Sequence, residues 1–239
     1  MTTTTSEAVF LWISGQSGAG KTTLGTNLSD HYGFVHFDGD VFYQGGDPIA
    51  DAGIYKQHTD RPEELKQKWS LVSENFGALF TGALVPVEDW ADSMECLVQA
   101  VAQAVSKQPN PIRFAVSFAV YPRSVRQWIE ERLLSLTGKQ IQFVVLYDAE
   151  KAAPRRKLEQ TKEVAKSQGK SLEEFWKSHG KPDGSEEAVL RELSMVQRGF
   201  EPGVEEQGEM AIRIVAAHDT NTVLDSVVQR LGLKKKQSS

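Results

Sequence analysis

Five short apolar runs punctuate the chain and set its expected architecture. They are "AVFLWIS" (8–14), "FVHF" (34–37), "IRFAVSFA" (112–119), "IQFVVLY" (141–147) and "AIRIVAA" (211–217). Each is rich in aliphatic, β-branched or aromatic residues, which predicts a buried strand. Helical patterns lie between them. One follows the first run, over 21–30. A second, over 62–80, has Asp60 as its N-cap and Glu63 three residues on, as in a capping box. Between Asp89 and Lys107, Trp90, Met94, Leu97, Val98, Val101 and Val105 recur at helical spacing, which predicts one packed face. Further helices are predicted at 122–137, 149–168, 171–179, 185–199 and 220–232. Strands that alternate with helices predict an α/β fold, with a parallel sheet covered on both faces.

Two stretches break this rhythm, and no internal repeat is visible. Residues 41–88 intervene between the second strand and the helix at 89. Residues 151–190 are polar and contain the loop-like "KSQGKS" and "SHGKPDGS". The second stretch reads either as a solvated helical face or as a lid over a bound ligand. The whole chain, 1–239, is expected to form one domain, with 41–88 as a substrate-binding insertion and 151–190 as the lid.

Composition narrows the function without choosing it. The 239 residues carry a net charge of −5, which argues against a generic grip on nucleic acid. The one cysteine, Cys96, permits no intrachain disulfide and fits a reducing compartment. No run approaches a membrane span. "MTTTTSEA" has neither a basic nor an apolar leader region and reads, like "KKKQSS", as a frayed tail. A cytoplasmic protein with a small-molecule substrate is expected, as a monomer or homodimer, binding neither nucleic acid nor membrane.

The chemistry begins at "GQSGAGKT", Gly15 to Thr22, which completes the pattern G-x-x-x-x-G-K-[ST] directly after the first strand. Gly15, Gly18 and Gly20 let the backbone turn tightly and approach phosphate oxygens. Amides from about Ser17 through Ala19 to Thr22 can form an anion nest, and the following helix adds its positive end. Lys21 supplies a full charge to the β- and γ-phosphates, and the Thr22 hydroxyl is the candidate Mg²⁺ ligand. Thr23 completes the set of candidate nucleotide-binding residues. At ordinary residue frequencies the pattern arises by chance in about one chain of this length in a hundred. A strand before it and a helix after it make chance rarer, so ATP with Mg²⁺ is the expected ligand.

A second acidic site follows one helix later. "HFDGDVF" ends the second predicted strand with Asp38 and Asp40. Ligands of doubly wound sheets bind at the carboxyl ends of strands. Asp38 is the candidate to hold Mg²⁺, directly or through water, and Asp40 to orient or deprotonate a substrate hydroxyl. The simpler reading of D-G-D is a polar turn. The third predicted strand ends without an acid, which argues against a motor-type ATPase and favours Asp38 as the metal partner. Asp148, closing the fourth, reads as a helix cap. The five histidines (His31, His36, His58, His179, His218) show no metal-binding spacing. His36 reads as packed, and His58 as a candidate to face a substrate. Cys96 reads as core. Asp219 and Thr220 read as a cap for the last helix.

From "SGQSGAGKTTLGTNLSDHYGFVHFDGD" onward the chain resembles small-molecule kinases of the nucleoside-monophosphate-kinase-like group. It is most similar to gluconate kinases, with shikimate and adenylylsulfate kinases as relatives. Weaker landmarks follow in order: "GALVPVEDW", "AVSFAVYPRSVRQWI", "IQFVVLYDAEKAAPRRKLEQ" and "LSMVQRGFEPGVEEQGEMAIRIVAAHD". The resemblance implies a P-loop three-layer sandwich with strand order 2-3-1-4-5, a lid and a substrate-binding part. By position it makes Arg155 and Arg156 candidates to reach ATP phosphates, and Arg123 and Arg126 candidates for the substrate side. Asp219 and Thr220 would flank the adenine. The chain also departs from the family. The segment from Asp40 to Gly82 is longer, Ser117 is followed by "FAVYPR" instead of a lysine-arginine pair, and "WADS" replaces an expected arginine near Asp89. The implied activity is transfer of the ATP γ-phosphate to a hydroxyl of a small metabolite in carbohydrate metabolism, with a sugar acid such as gluconate favoured. The alternatives are a nucleotide or nucleoside kinase, and a non-catalytic ATP-binding regulator.

Overall fold

The computed structural model describes residues 8–54, 60–148, 153–178, 183–205, 208–214 and 220–235. Side-chain alternation in its strands divides the interior into two layers. In β1 (Val9–Gly15), Phe10 and Trp12 pack on one side of the sheet, and Leu11 and Ile13 on the other. The neighbouring strands β3 (Arg113–Ser117) and β4 (Gln142–Asp148) repeat the division. Phe114, Val116, Phe143 and Val145 join the first layer; Ala115, Val144 and Leu146 join the second. A strand buried on both faces needs a continuous apolar run, which is what the sequence supplies.

β2 (Val35–Asp38) and β5 (Met210–Ile214) complete a five-stranded, all-parallel sheet in the order β2-β3-β1-β4-β5. Helix α1 (Lys21–Tyr32) and the last helix, 220–230, cover the second layer through Leu24, Leu28, Leu224 and Val227. The first layer is covered from the other side by three helices. Two of these are α3 (Glu63–Phe80) and α4 (Val87–Ser106), with α2 (Gly39–Tyr43) preceding them. The third is α5 (Arg123–Thr137). The predicted face of α4 is observed: Trp90, Met94, Leu97, Val98, Val101 and Val105 are all buried. Cys96 lies at the edge of the same layer.

Three more helices, α6 (Ala153–Ser167), α7 (Leu172–Ser178) and α8 (Glu186–Met195), share a small core of their own. Leu158, Val189 and Leu193 form it, with Leu172, Trp176 and Leu190 packed against them. The last helix, α9, is Thr220–Arg230. Among the described residues no helix is long and apolar enough to cross a membrane.

Several expectations are corrected. The D-G-D stretch opens a short helix, α2, in which Asp38 is the N-cap and accepts from the Asp40 amide at 3.0 Å. Asp60 does not cap α3; Pro62 stands at that position, and no side chain caps the helix. Proline before the first turn needs no donor, so its fixed φ serves instead. His36 is buried, as expected, and its Nε2 lies 2.8 Å from Ser117 Oγ. Burial lowers its pKa to about 4, so the ring is neutral at physiological pH. The readings of His58, His179, His218 and Asp219, and of 149–152 and 215–217 as parts of elements, fall outside the described residues.

Candidate active site

Register brings the carboxyl ends of three strands level. Ile13 and Asp38 both pair with Ser117, on either side of β3. Two strand spacings, about 10 Å, therefore separate the end of β1 from Asp38. Between them the chain leaves β1 as the glycine-rich loop and enters α1.

The loop's shape explains two of its glycines. Gly15 pairs with Leu146 in the sheet, and a Cβ there would collide with the Leu146 carbonyl. Gly20 has φ 87° and stands at the N-cap of α1, a left-handed conformation that disfavours side chains. The first turn of α1 holds Lys21, Thr22 and Thr23. A tight turn that feeds a helix N-terminus is a physical attractor for an anion of phosphate size.

Lys21 folds back over this turn. Its Nζ donates to the carbonyls of Gly15 at 3.2 Å and Gln16 at 3.0 Å. Burial lowers its pKa to about 8; Asp40 and Asp38 work against that shift, and Lys157 with it. The ammonium is thus close enough to both carboxylates to feel them.

Asp38 is buried at 3% exposure. Its oxygens are already engaged: Oδ1 accepts from Asp40 N–H at 3.0 Å and Oδ2 from Gly53 N–H at 3.2 Å. Burial raises its pKa, and those backbone donors with Lys21 pull it back. Gly53 brings part of the 41–88 segment onto α1, since a Cβ there would lie 2.9 Å from Thr26 Oγ1 and 3.6 Å from Thr22 Cγ2. Asp40, in the first turn of α2, has an exposed surface. Crowding first, and the Asp38 charge second, raise its carboxyl above the ordinary range. Water at the exposed surface moderates the first cause, and the second stands on the two-residue spacing. A raised carboxyl is a better proton acceptor than an ordinary one.

The loop is gripped from outside as well. Ser17 N–H donates to the Tyr121 hydroxyl at 3.0 Å, so this amide of the expected nest is already engaged. Ala19 N–H donates to the Gln16 carbonyl at 3.1 Å. Gln197 Nε2 donates to Ser17 C=O at 3.3 Å, and Arg156 Nε, from α6, to Gly18 C=O at 3.3 Å. Arg156 is half-buried against the loop, whereas Arg155 is exposed. Lys157, one residue on, lies near enough to Lys21 and Asp40 to influence both. Sequence reasoning passed over Lys157, Tyr121 and Gln197, because nothing in their local pattern distinguishes them.

The two substrate-side arginines part company. Arg123 opens α5, half-buried, with its backbone N–H on Glu201 and its Nε buried without a partner. Arg126 is corrected: it is fully buried and has no donor left for a substrate. Its Nε and Nη2 bind Glu209 at 2.6 and 3.3 Å, its Nη1 the carbonyls of Tyr121 and Val120 at 2.8 and 3.3 Å, and its Nη2 also Pro202 C=O at 3.4 Å. Removing one member of such a pair strands a buried charge. Arg126→Met is expected to lower stability by about 3–5 kcal/mol, read from denaturant midpoints. Adding Glu209→Leu is expected to recover most of it. A loss below about 1 kcal/mol would mean that Glu209 is reached by water.

Among the described residues no group of three or more His, Cys, Asp or Glu side chains is placed to hold a metal alone. Mg²⁺ asks for less, since it keeps waters and is held through one or two protein oxygens and phosphates. The Thr22 hydroxyl, half-buried in the first turn of α1, fits a direct ligand. Asp38, with both oxygens engaged by amides, fits a contact through water better than a direct one.

No family model matches the chain, and no curated protein does. Solved structures do match. A gluconokinase from Sinorhizobium meliloti aligns over 94% of this chain and 91% of its own, with a TM-score of 0.50 and 15% identity. An unliganded sugar kinase from Janibacter covers 95% of each chain, at 0.49 and 14%. A deoxyadenosine kinase from M. mycoides with bound dATP covers 94% of this chain and 100% of its own, at 0.42 and 11%. At such identities the likeness is one of fold. The sheet order 2-3-1-4-5 that the resemblance implies is the order this chain has, and the gluconokinase structure shares its overall fold.

Proposed function

We propose that the chain is an ATP-dependent kinase that moves the γ-phosphate to a hydroxyl of a small metabolite, with a sugar acid such as gluconate as the first acceptor to try. The observation that carries this reading is the proximity of Lys21, in the first turn after the glycine-rich loop, to the Asp38–Asp40 pair, close enough for their charges to act on one another. In this reading the loop from Gly15 through Ser17, Gly18, Ala19 and Gly20 to Thr23 wraps the phosphates, and Lys21 neutralises them. Asp40 takes the proton of the acceptor hydroxyl and aims its oxygen in line with the γ-phosphorus. Mg²⁺ at Thr22, with Asp38 through water, would neutralise phosphate charge when bound. Arg156 is the lid group that hydrogen-bonds the loop, and α6–α8 with their separate small core are suited to move as a lid. Arg155 would serve only if closure carried it inward. Of the two substrate-side arginines, Arg123 is the one with a side chain left for an anionic acceptor.

One observation favours a second reading, a nucleoside or nucleotide acceptor. Arg126 is committed to Glu209, which leaves the substrate side with one cation fewer for an anionic sugar acid. The test is ADP release by the purified chain with ATP and Mg²⁺, screened against sugar acids, polyols, nucleosides and nucleotides. Turnover with sugar acids supports the first reading, and turnover with nucleosides or nucleotides alone the second. Tight ATP binding without stimulation by any acceptor would overturn both in favour of a regulator.

A further inference from the structure

We infer that Tyr121 is a positioning residue for the phosphate-binding loop: its hydroxyl fixes the peptide before Ser17 and ties it to the backbone that follows α8. The inference rests on the nucleotide-binding reading above. Tyr121 Oη accepts from Ser17 N–H at 3.0 Å and donates to Val196 C=O at 2.9 Å. An amide can only donate and a carbonyl only accept, so the direction of the hydroxyl proton is settled. Burial holds the phenol up at about 12, so it keeps that proton throughout the physiological range.

The hydroxyl arrives at this place because everything behind it is held. Ser14, a buried polar residue at the end of β1, clamps Val120 on both sides. Its Oγ donates to Val120 C=O and accepts from Val120 N–H, each at 2.9 Å. The Tyr121 carbonyl accepts from Arg126 Nη1 at 2.8 Å and from Glu201 N–H at 3.2 Å. The ring stands edge-on to Phe76 and Phe200, with centroids 5.1 and 5.3 Å away. Backbone and ring are therefore fixed independently of the hydroxyl. Removing that one oxygen releases the Ser17 amide and the Val196 carbonyl and leaves the ring and its backbone in place.

Gln197 holds the same residue from its other side. Its Nε2 donates to the carbonyls of both Ser17 and Leu193 at 3.3 Å. Two carbonyl partners identify that atom as the nitrogen. Ser17 thus has its N–H set by Tyr121 and its C=O set by Gln197, and both tethers lead to the segment after α8. Without the hydroxyl, the Ser17 amide must find water and the turn samples other peptide orientations. Nucleotide binding then has to order the loop as well as fill it.

The test is calorimetric titration of the full chain with ATP and Mg²⁺, for wild type, Tyr121→Phe, Gln197→Ala and the double variant. Tyr121→Phe is expected to stay folded at 25 °C and to bind ATP about tenfold more weakly. Where an acceptor turns over, its KM is expected to stay unchanged while the KM for ATP rises. Gln197→Ala is expected to act non-additively with it, because both act on one residue. A lowered Tm with unchanged ATP affinity would assign Tyr121 a structural role only and overturn the inference. Additive effects would overturn the shared tether. A wild-type chain that binds no ATP would overturn the nucleotide reading and this role together, whereas normal wild-type binding with normal Tyr121→Phe binding overturns the role alone.

Discussion

Lys21→Ala is expected to reduce phosphoryl transfer by at least about a thousandfold and to weaken ATP binding. Removal of one preorganised group that meets developing charge costs roughly 10²–10³ in rate, and this one carries a full charge. The pKa of Lys21 predicts the accompanying effects. A folded-state value lowered to about 8 means that the folded chain holds this proton less tightly than the unfolded one. The charged lysine therefore costs stability at and below pH 8, and the cost fades as pH rises from about 8 towards 10.5. Tm in the alanine variant at pH 7 is accordingly expected to hold or rise. Bound phosphate favours the ammonium, so wild-type ATP affinity is expected to weaken as pH climbs past 8, and that slope is expected to disappear in Lys21→Ala. Near-wild-type transfer by the variant, or a pH slope that survives in it, would contradict the assignment.

Asp40→Asn is expected to lower kcat by about 10²–10⁴ while ATP affinity changes little. The substitution keeps the shape of the side chain and leaves the Asp40 backbone N–H on Asp38, so α2 keeps its cap. What it removes is the proton acceptor, and the acid limb of the kcat–pH profile is expected to go with it. That limb lies above the ordinary aspartate value in the wild type, because the Asp40 carboxyl is raised. Asp38→Asn is the informative contrast. Asp38 both caps α2 and holds the Gly53 amide, so its loss is expected to lower stability by about 1 kcal/mol as well as activity. An unchanged kcat in Asp40→Asn would remove Asp40 from the chemistry.

The parts of this fold that were legible in the sequence are those written locally. The continuous apolar run in "VFLWISG" showed a buried strand, and the glycine-rich pattern located the loop at its end. The face of α4 was readable because helical spacing repeats along twenty residues. α2 was missed because five residues carry no period, and D-G-D serves a turn and an N-cap equally well. Arg126 was misjudged because a position near a strand end says nothing of direction, and its partner Glu209 lies 83 residues away. Tyr121 and Gln197 were invisible for the same reason: their contacts with Ser17 span 104 and 180 residues. Only the folded sheet brings such pairs together. Ser14 offered the single local hint, as a hydroxyl inside an otherwise apolar strand that had to find a partner.

The central claim is that phosphate leaves ATP for a hydroxyl on a small acceptor, not for water. Incubation of the purified chain with Mg²⁺ and ATP labelled at the γ-phosphorus, with and without each acceptor class, measures this directly. The label is predicted to appear in a phosphomonoester of one acceptor, in step with ADP and only when that acceptor is present. Label recovered solely as orthophosphate, or left in ATP with every acceptor, would contradict it.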